Sequence, residues 1–376
     1  MSEWKTYKLS ELVEIKYGKD HKHLADGEIP LYGSGGIMRY VDTPLYEQES
    51  ILIPRKGTLS NLFYLNIPFW SVDTMFYTKI KAGNNGKYLY YLLKSMDLAS
   101  MNVGSAVPSL TTEVLNKVEI NVPEDKAIQQ EIAQILTSLD DKIELNLQMN
   151  QTLEAMAQAL FKEWFVNFNF PNFDGELENG LPKGWRMGTV REMYKTSSGG
   201  TPSRAKEDYY ENGTVNWVKS KELNGSFIFD TEEKITVDAV KNSSAKFIPK
   251  YSVLVAMYGA TVGEYAITTR DTTCNQAICA VIENGSYPFT YFFEYFKINR
   301  NNIISQASGS AQQNISQALI QQLEILVPSV EVVKKYHSVV ESMFIKMENN
   351  LLQIQSLTQT RDTLLPKLMS GKLELV

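Results

Sequence analysis

The sequence predicts an α+β protein: two mixed α/β globular domains in a pseudo-twofold repeat, separated by two long helices that form an antiparallel coiled coil. Three observations predict this fold class. Four short sequence words occur twice, in the same order. Each copy changes from strand-like to helix-like at a proline, Pro123 or Pro328. Beyond each proline, apolar residues recur with the seven-residue period of coiled coils.

The first matched word begins at Trp4 and again at Trp185, and tryptophan, aliphatic residue, glutamate and second apolar residue keep their places. The other pairs are SILI at 50–53 with SVLV at 252–255, VGSA at 103–106 with SGSA at 308–311, and VEINVP at 118–123 with LEILVP at 323–328. The offset between partners grows slowly, as loop insertions in the second copy would produce. The chain is therefore predicted to be two copies of one unit.

Before each proline the sequence is typical of a small mixed domain. Strand-like runs at 51–53, 77–80, 251–257 and 277–282 are separated by Gly, Asn and Pro turns. A short helix is predicted at 88–96, with a counterpart at 290–298. About 120 to 150 residues per copy suffice for an independent core.

A long helix is predicted after each proline. From about residue 126 to 166 the first would be roughly 60 Å long, which exceeds one face of so small a domain. Mutual pairing of the two helices, antiparallel about a pseudo-twofold axis, is the economical solution. The seam is assigned to Leu136, Leu139, Ile143, Asn146, Asn150, Leu153, Leu160, Val340, Met347, Asn350, Ile354, Leu357 and Leu364.

The asparagines at seam positions 146, 150 and 350 leave two interpretations open. They could set the register of the pair at some cost in stability. Alternatively, they could mark a hydrated and poorly packed stretch of the seam.

The composition limits the class of protein. With 376 residues, 43% hydrophobic and 21% charged, the chain is globular and is expected to contain about two to three domains. A net charge of −6 argues, taken alone, against a nucleic-acid partner. Net charge averages over all surfaces, however, so local clusters of lysine and arginine decide this point.

No redox, metal or membrane chemistry is expected. Cys274 and Cys279 lack the number for a disulfide framework and the spacing of a zinc site, so both are predicted to be reduced thiols in a strand. The N-terminus has no signal-peptide pattern, and no apolar stretch approaches the ~20 residues of a membrane helix. We expect a cytoplasmic protein without a membrane partner.

On this duplicated frame, the chain resembles the specificity subunits of Type I restriction–modification systems over essentially its whole length. The words that carry the resemblance are IPLYGSGGI at 29–37, SGGTPS at 198–203, GTVNW at 213–217, LFKEWF at 160–165 and LLPKLMSGKL at 364–373. The resemblance implies a first target recognition domain at 1–125 and a spacer helix at 126–168. It further implies a linker and second target recognition domain at 169–327, and a second spacer helix at 328–376.

The resemblance implies that each domain reads one half of a bipartite DNA site, while the helices set the spacing and dock methyltransferase subunits. Two separate heads suit half-sites about one helical turn, ~34 Å, apart. Because the two heads differ in sequence, the site should be asymmetric. The expected partners are double-stranded DNA, two methyltransferase subunits and restriction or translocase subunits. S-adenosylmethionine, ATP and Mg²⁺ are expected in those partners, and no cofactor is expected in this chain.

DNA recognition needs cations for phosphates and amide or guanidinium groups for base edges. The candidates in the first domain are Lys19, Lys22, Arg39, Arg55, Lys56 and Asn61. Those in the second domain are Ser203, Arg204, Lys206, Trp217, Lys219, Lys221, Tyr258, Thr261, Gln312, Gln313 and Asn314. For any single lysine, a solvated surface charge is the alternative.

The sequence contains no motif for chemistry on DNA. The Asn/Asp-Pro-Pro-aromatic word of base-amine methyltransferases and the P-loop pattern are both missing. The run Glu232, Glu233 and Lys234 is predicted to be solvated, and His21 and His23 are expected at the surface without a metal. A non-catalytic recognition subunit is therefore predicted. The alternatives are a single-chain nuclease or modification enzyme that retains this recognition architecture, and a coiled-coil adaptor whose heads bind proteins.

Overall fold

The computed structural model describes residues 3–102, 108–306 and 314–373. The chain forms two compact units, residues 1–145 with 353–376 and residues 146–352. Each unit combines one globular domain with parts of both long helices, because the division falls within each helix.

The first unit is built on two sheets and a ribbon, in the strand orders β2-β8-β5-β6, β4-β3-β7 and β1-β9. The strands are β1 (Trp4–Lys8), β2 (Val13–Tyr17), β3 (Asp26–Gly33), β4 (Gly36–Val41), β5 (Ser50–Pro54), β6 (Phe63–Leu65), β7 (Trp70–Ser71), β8 (Met75–Ile80) and β9 (Glu119–Pro123). The helices are α1 (Leu9–Leu12), α2 (Gly86–Lys94), α3 (Thr112–Lys117) and the first half of α4 (Lys126–Phe165), with a 3₁₀ turn at Leu98–Met101.

The second unit has sheets in the orders β13-β20-β17-β18-β15 and β16-β14-β19, and the ribbons β12-β21 and β10-β11. The strands are β10 (Leu177–Glu178), β11 (Leu181–Pro182), β12 (Arg186–Thr189), β13 (Lys195–Ser198), β14 (Val215–Val218), β15 (Phe227–Ile228), β16 (Lys234–Ile235), β17 (Val253–Ala256), β18 (Tyr265–Thr268), β19 (Thr273–Cys274), β20 (Ile278–Ile282) and β21 (Glu324–Val327). The helices are α5 (Val190–Met193), α6 (Val237–Lys241), α7 (Phe289–Gln306), α8 (Gln317–Gln322) and the first part of α9 (Val330–Met369), with 3₁₀ turns at Glu207–Tyr209, Ser220–Glu222 and Gly259–Thr261.

The topology repeats as the matched words predict. The first and last words of each copy pair with each other, β1 with β9 and β12 with β21, both antiparallel. The short helix that follows the first strand carries a glutamate in its first turn in both copies, Glu11 or Glu192, and this glutamate accepts a hydrogen bond from the backbone N–H three residues earlier. The main sheets share one order, with β15 added only in the second unit. The predicted fold class is confirmed.

One element is longer than predicted. Helix α2 ends at Lys94, close to the expected bound, whereas its counterpart α7 continues to Gln306.

The two cysteines lie in adjoining strands of different sheets, β19 and β20, rather than in one strand, and both are free and buried. Burial raises the pKa of the Cys279 thiol to about 12, so neither is a reactive thiolate.

Helices α4 and α9 each contain 40 residues and pack together, and each would span about 60 Å. The pairing is antiparallel in each unit. In the first unit Asp140 binds Arg361 at 2.7 Å. In the second, Asn350 bonds Asn150 and Tyr336 bonds the carbonyl of Ala157. All residues assigned to the seam are buried or half-buried.

Each domain shares a continuous core with its helix segments. In the first unit Phe76 of β8 and Tyr88 of α2 belong to one buried cluster with Leu136 of α4 and Leu368 of α9. In the second unit a corresponding cluster joins Phe292 to Tyr336. Burying each such side chain contributes about 1.5–3 kcal/mol. A domain therefore cannot reorient on its own helix segments without losing core packing. Among the described residues, no helix is long and apolar enough to cross a membrane.

Candidate nucleic-acid interface

A set of loops gathers at one edge of the first domain and contains most of the predicted DNA-binding residues. We call it the first rim, residues 19–23, 33–36, 55–61 and 72–74. Three backbone bonds hold its loops against the strands: Gly18 N–H to Met75 O, Lys19 N–H to Ser71 O, and Val72 N–H to Tyr32 O, at 2.9, 2.9 and 3.0 Å.

The second domain has the same frame. Its second rim consists of residues 200–204, 219–222, 257–263 and 275–277. The matching backbone bonds are Gly199 N–H to Ile278 O, Gly200 N–H to Cys274 O, and Asn275 N–H to Val218 O, at 3.2, 2.9 and 2.9 Å. The two rims are therefore equivalent parts of the duplicated domain, although their sequences differ.

In the first rim, two of the residues predicted to bind DNA, Arg55 and Asn61, hold loops in place. The Arg55 guanidinium donates to the carbonyl of Asp73 at 3.3 Å. The Asn61 amide donates to the carbonyl of Ser34 at 2.7 Å. Both bonds consume donors that would otherwise be available to DNA, and both fix the spacing between neighbouring loops.

Arg39 lies outside the rim on β4 and supports it. Its guanidinium pairs with Asp26 at 2.9 Å and donates to the carbonyls of His21 and Leu24 at 2.8 and 3.1 Å. With these three partners, the guanidinium holds the 19–23 loop in place.

The three candidate lysines of the first domain are available to a ligand. Lys19, Lys22 and Lys56 are exposed, and their ammonium groups bond to no described residue. Next to them lies a cavity of about 400 Å³ lined by His21, Gly33, Ser34, Gly35, Met38, Val72, Asp73 and Thr74. Nδ1 of His21 is buried there and has no partner among the described residues. His21 is thus part of a concave polar surface rather than a free surface side chain.

In the second rim, Arg204 is rigidly held. Its guanidinium forms a two-point ion pair with Glu233 at 2.8 and 2.7 Å. It lies over the rings of Tyr210 and Trp217, 4.3 and 5.2 Å from their centroids. The pair stays partly exposed, so one edge of the guanidinium can still face a ligand.

The prediction that Trp217 contacts DNA is corrected. Its side chain is only 3% exposed, and its indole N–H donates to the carbonyl of Gly200 at 2.9 Å. Trp217 therefore supports Arg204 and the 200–204 loop from below. Trp70 makes the matching bond in the first domain, to the carbonyl of Lys19 at 3.1 Å.

The acidic run at 232–234 is not simply solvated, because it neutralises the cations of the second rim. Lys219 pairs with Glu233 at 2.5 Å, and Lys221 pairs with Glu232 at 2.6 Å. Hydrogen bonds from Arg204 and Lys219 lower the pKa of Glu233 to about 2. Three predicted DNA-binding cations are therefore paired with carboxylates in this structure.

The other candidate residues of the second domain differ in their exposure and in their bonding. Lys206 bonds the hydroxyl of Tyr209 at 3.0 Å, whereas Ser203 and Tyr258 are exposed. Thr261 is half-buried and bonds the carbonyl of Tyr258. Asn314 is exposed and adjoins the second rim, because the N–H of Ile315 donates to the carbonyl of Met257 at 2.8 Å. Gln312 and Gln313 lie outside the described residues.

Asp73 and Gln276 were not among the predicted residues, and they lie in the turns before β8 and β20. Both side chains are exposed on a rim. A signal was available, because the two turns precede equivalent strands of the repeat. No cluster of His, Cys, Asp and Glu that could hold a metal occurs in the part of the chain that the structure describes.

The fold, the duplication and the two rims define a class of protein, and comparison with known families agrees. The chain belongs to the family described as Type I restriction modification DNA specificity domain, whose model matches residues 1–155 and 182–355. The two matches fall on the two copies, and the predicted family is confirmed.

Individual relatives carry the same description. The Type I restriction enzyme MjaIX specificity subunit of Methanocaldococcus jannaschii is 30% identical over 307 residues, which cover 78% of this chain and 70% of that protein. The HindI specificity subunit of Haemophilus influenzae is 28% identical over 332 residues, 71% of each chain. A crystal structure of the S subunit from M. genitalium shares the fold, with a TM-score of 0.74 at 16% identity over 100% of this chain and 97% of that one.

These relatives are specificity subunits, which are non-catalytic components of restriction–modification complexes. The prediction of a recognition subunit rather than an enzyme is thereby confirmed.

Proposed function

We propose that this chain recognises an asymmetric bipartite DNA sequence, one half through each rim. One observation carries the proposal. The two rims share a backbone frame but present different side chains, free lysines beside a polar cavity in one and a stacked arginine in the other. Equivalent surfaces with different chemistry are suited to equivalent half-sites with different bases.

The long helices act as the spacer between the two half-sites. The continuous core in each unit supports this role, because a domain that packs into its helix segments follows any change in their length. The site therefore has two read halves interrupted by base pairs that the chain does not contact.

The helices also dock two methyltransferase subunits, and through them the restriction or translocase subunits. Large apolar side chains exposed on α4 and α9 support this part of the proposal, since a bound subunit would remove their apolar surface from water. They are Leu145, Leu147, Met156, Val330, Val339, Ile345 and Leu352. S-adenosylmethionine, ATP and Mg²⁺ belong to these partners, and the complex acts in the cytoplasm.

The net negative charge of the chain indicates how its DNA binding depends on its partners. Because Glu232 and Glu233 neutralise cations of the second rim, little free positive charge remains there for phosphates. The isolated chain should therefore bind DNA weakly, and basic surfaces of the methyltransferase subunits should supply the missing attraction.

Selection from random duplexes tests the proposal. The complex with the methyltransferase subunits should enrich one interrupted, asymmetric sequence, and binding should fall steeply with salt. Absence of any enriched sequence would refute the proposal. Weak dependence on salt would favour a protein-binding adaptor. DNA cleavage or methylation by the purified chain alone, with Mg²⁺ and S-adenosylmethionine, would favour the single-chain enzyme.

A further inference from the structure

The turns before β8 and β20 occupy the same place in the two rims. In each, the first residue donates its N–H to the end of the neighbouring parallel strand, Val72 to Tyr32 and Asn275 to Val218. The third residue accepts from the segment that follows the central strand. These bonds are Arg55 N–H to Thr74 O at 2.8 Å and Met257 N–H to Ala277 O at 2.7 Å. The middle residues, Asp73 and Gln276, are therefore structural equivalents.

Asp73 has a free carboxylate on a surface that otherwise carries lysines. Its side chain is exposed and bonds to no described residue, while the Arg55 guanidinium fixes its backbone carbonyl at 3.3 Å. Asp73 also lines the cavity of the first rim. A carboxylate repels phosphates, so its place among free lysines suits a ligand group that donates hydrogen bonds. The exocyclic amino groups of cytosine and adenine are such donors in the major groove.

Gln276 is exposed and oriented by one bond. Its Oε1 accepts a hydrogen bond from the hydroxyl of Thr201, and its amide nitrogen bonds to no described residue. The amide oxygen retains a second lone pair, and the nitrogen retains its two donors. A free acceptor beside a free donor is the pattern that pairs with N6 and N7 of adenine.

We propose that Asp73 and Gln276 are specificity-determining residues, each reading a base at the corresponding position of its half-site. Asp73 accepts from a base amino group, and Gln276 pairs with adenine through its amide. This inference rests on the proposed function and deepens it, because it assigns direct readout to one position of each rim. The neighbouring residues Arg55, Asn61 and Trp217 position the loops.

The test is selection from random duplexes with the assembled methyltransferase complex, comparing the wild type with Asp73→Ala and Gln276→Ala. Asp73→Ala should reduce the preference at one position of one half-site by about 5- to 150-fold, the value of one direct base contact. Gln276→Ala should do the same in the other half-site only. Asp42→Ala and Gln322→Ala, exposed residues outside the rims of the same units, should leave the selected sequence unchanged.

Exchange variants distinguish base reading from a structural role. Gln276→Glu should shift the preference from adenine towards cytosine, because a carboxylate only accepts. Asp73→Asn should shift the first half-site towards adenine. A wild-type complex that selects no sequence would refute the proposed function itself. A wild-type motif retained in all four variants, or a uniform loss across both half-sites, would overturn only the assignment of Asp73 and Gln276.

Discussion

The side-chain amide of Asn350 donates a hydrogen bond of 2.8 Å to Oδ1 of Asn150 across the paired helices of the second unit. Asn350 is 1% exposed, and the amide of Asn150 also donates to the carbonyl of Met347 at 3.4 Å. A hydrogen-bonded pair with one fully buried member is the arrangement expected of residues that set register. It favours that interpretation over a hydrated seam, because a shift of either helix would break this bond and leave the buried amide of Asn350 without this partner.

Stability of the asparagine pair should depend on both members. Asn350→Ala removes the donor to Asn150, and Asn150 is half-buried. We therefore expect a loss of about 1–3 kcal/mol in the free energy of unfolding. Replacing both with leucine should restore most of that stability, since no polar group is then left unsatisfied. Urea denaturation measures both values. A double variant as unstable as the single one would show that the pair is not a coupled unit.

The unread gap should follow the length of the helices. Inserting four residues into α4 near Asn146 adds about 6 Å of helix and should lengthen the gap between unchanged half-sites. Selection from random duplexes measures the gap and both half-sites in one experiment. Altered half-sites with an unchanged gap would show that the helix does not set the spacing.

An insertion that keeps the heptad phase of the paired helices is a matched control for this experiment. A seven-residue insertion in both helices preserves the heptad phase, whereas a four-residue insertion in one helix shifts it. The in-phase variant should keep the wild-type stability while the gap becomes longer.

Non-specific binding should increase when the second rim is released from its carboxylates. Glu233→Gln removes the charge that holds Arg204 and Lys219. Non-specific affinity for DNA should rise, and the slope of log K against log salt should steepen by about 0.9 for each phosphate gained. The pKa of Glu233 is about 2, so the effect should be constant between pH 6 and 8. Glu211→Gln, an exposed control in the same unit, should change neither affinity nor slope.

Stability should depend on pH through Glu294, a carboxyl of α7 that is fully buried and has no hydrogen-bond partner among the described residues. Burial raises its pKa from 4.5 to about 7, with Lys297 opposing and Glu154 adding to the shift. Between those pH values the unfolded chain loses this proton while the folded chain keeps it. The free energy of unfolding therefore falls as pH rises through this window, by about 3 kcal/mol in all.

Comparison with Glu294→Gln isolates this contribution. The two proteins should diverge between pH 4.5 and 7 and run parallel above it, with the variant the more stable. Glu331→Gln, an exposed control on α9, should follow the wild type. Parallel curves for wild type and Glu294→Gln across the whole range would contradict the expected burial of a neutral carboxyl.

The repeat, the fold class and the long helices could be predicted because they depend on local patterns. The first helix was expected at about 126–166 and is Lys126–Phe165. Heptad spacing alone identified the seam, since a helix exposes one face with a fixed period whatever it packs against. The paired words at the ends of each copy were also visible, because they are local matches within the sequence.

The candidate interface could be predicted only in part. Arg204 and Trp217 were identified by residue type, but the role of each depends on a distant partner, Glu233 or Gly200. Asp73 and Gln276 went unnoticed, because only the parallel pairings β3 with β7 and β14 with β19 bring their turns to a rim.

The sequence by itself determined that the protein is duplicated, that its long helices pair, and which family it belongs to. Periodicity and repeated words are properties of neighbouring residues and survive without knowledge of the fold. Only the tertiary structure decided which polar side chains stay free to meet a ligand. That choice depends on ion pairs, burial and strand pairing between residues far apart in the chain, and no local pattern encodes them.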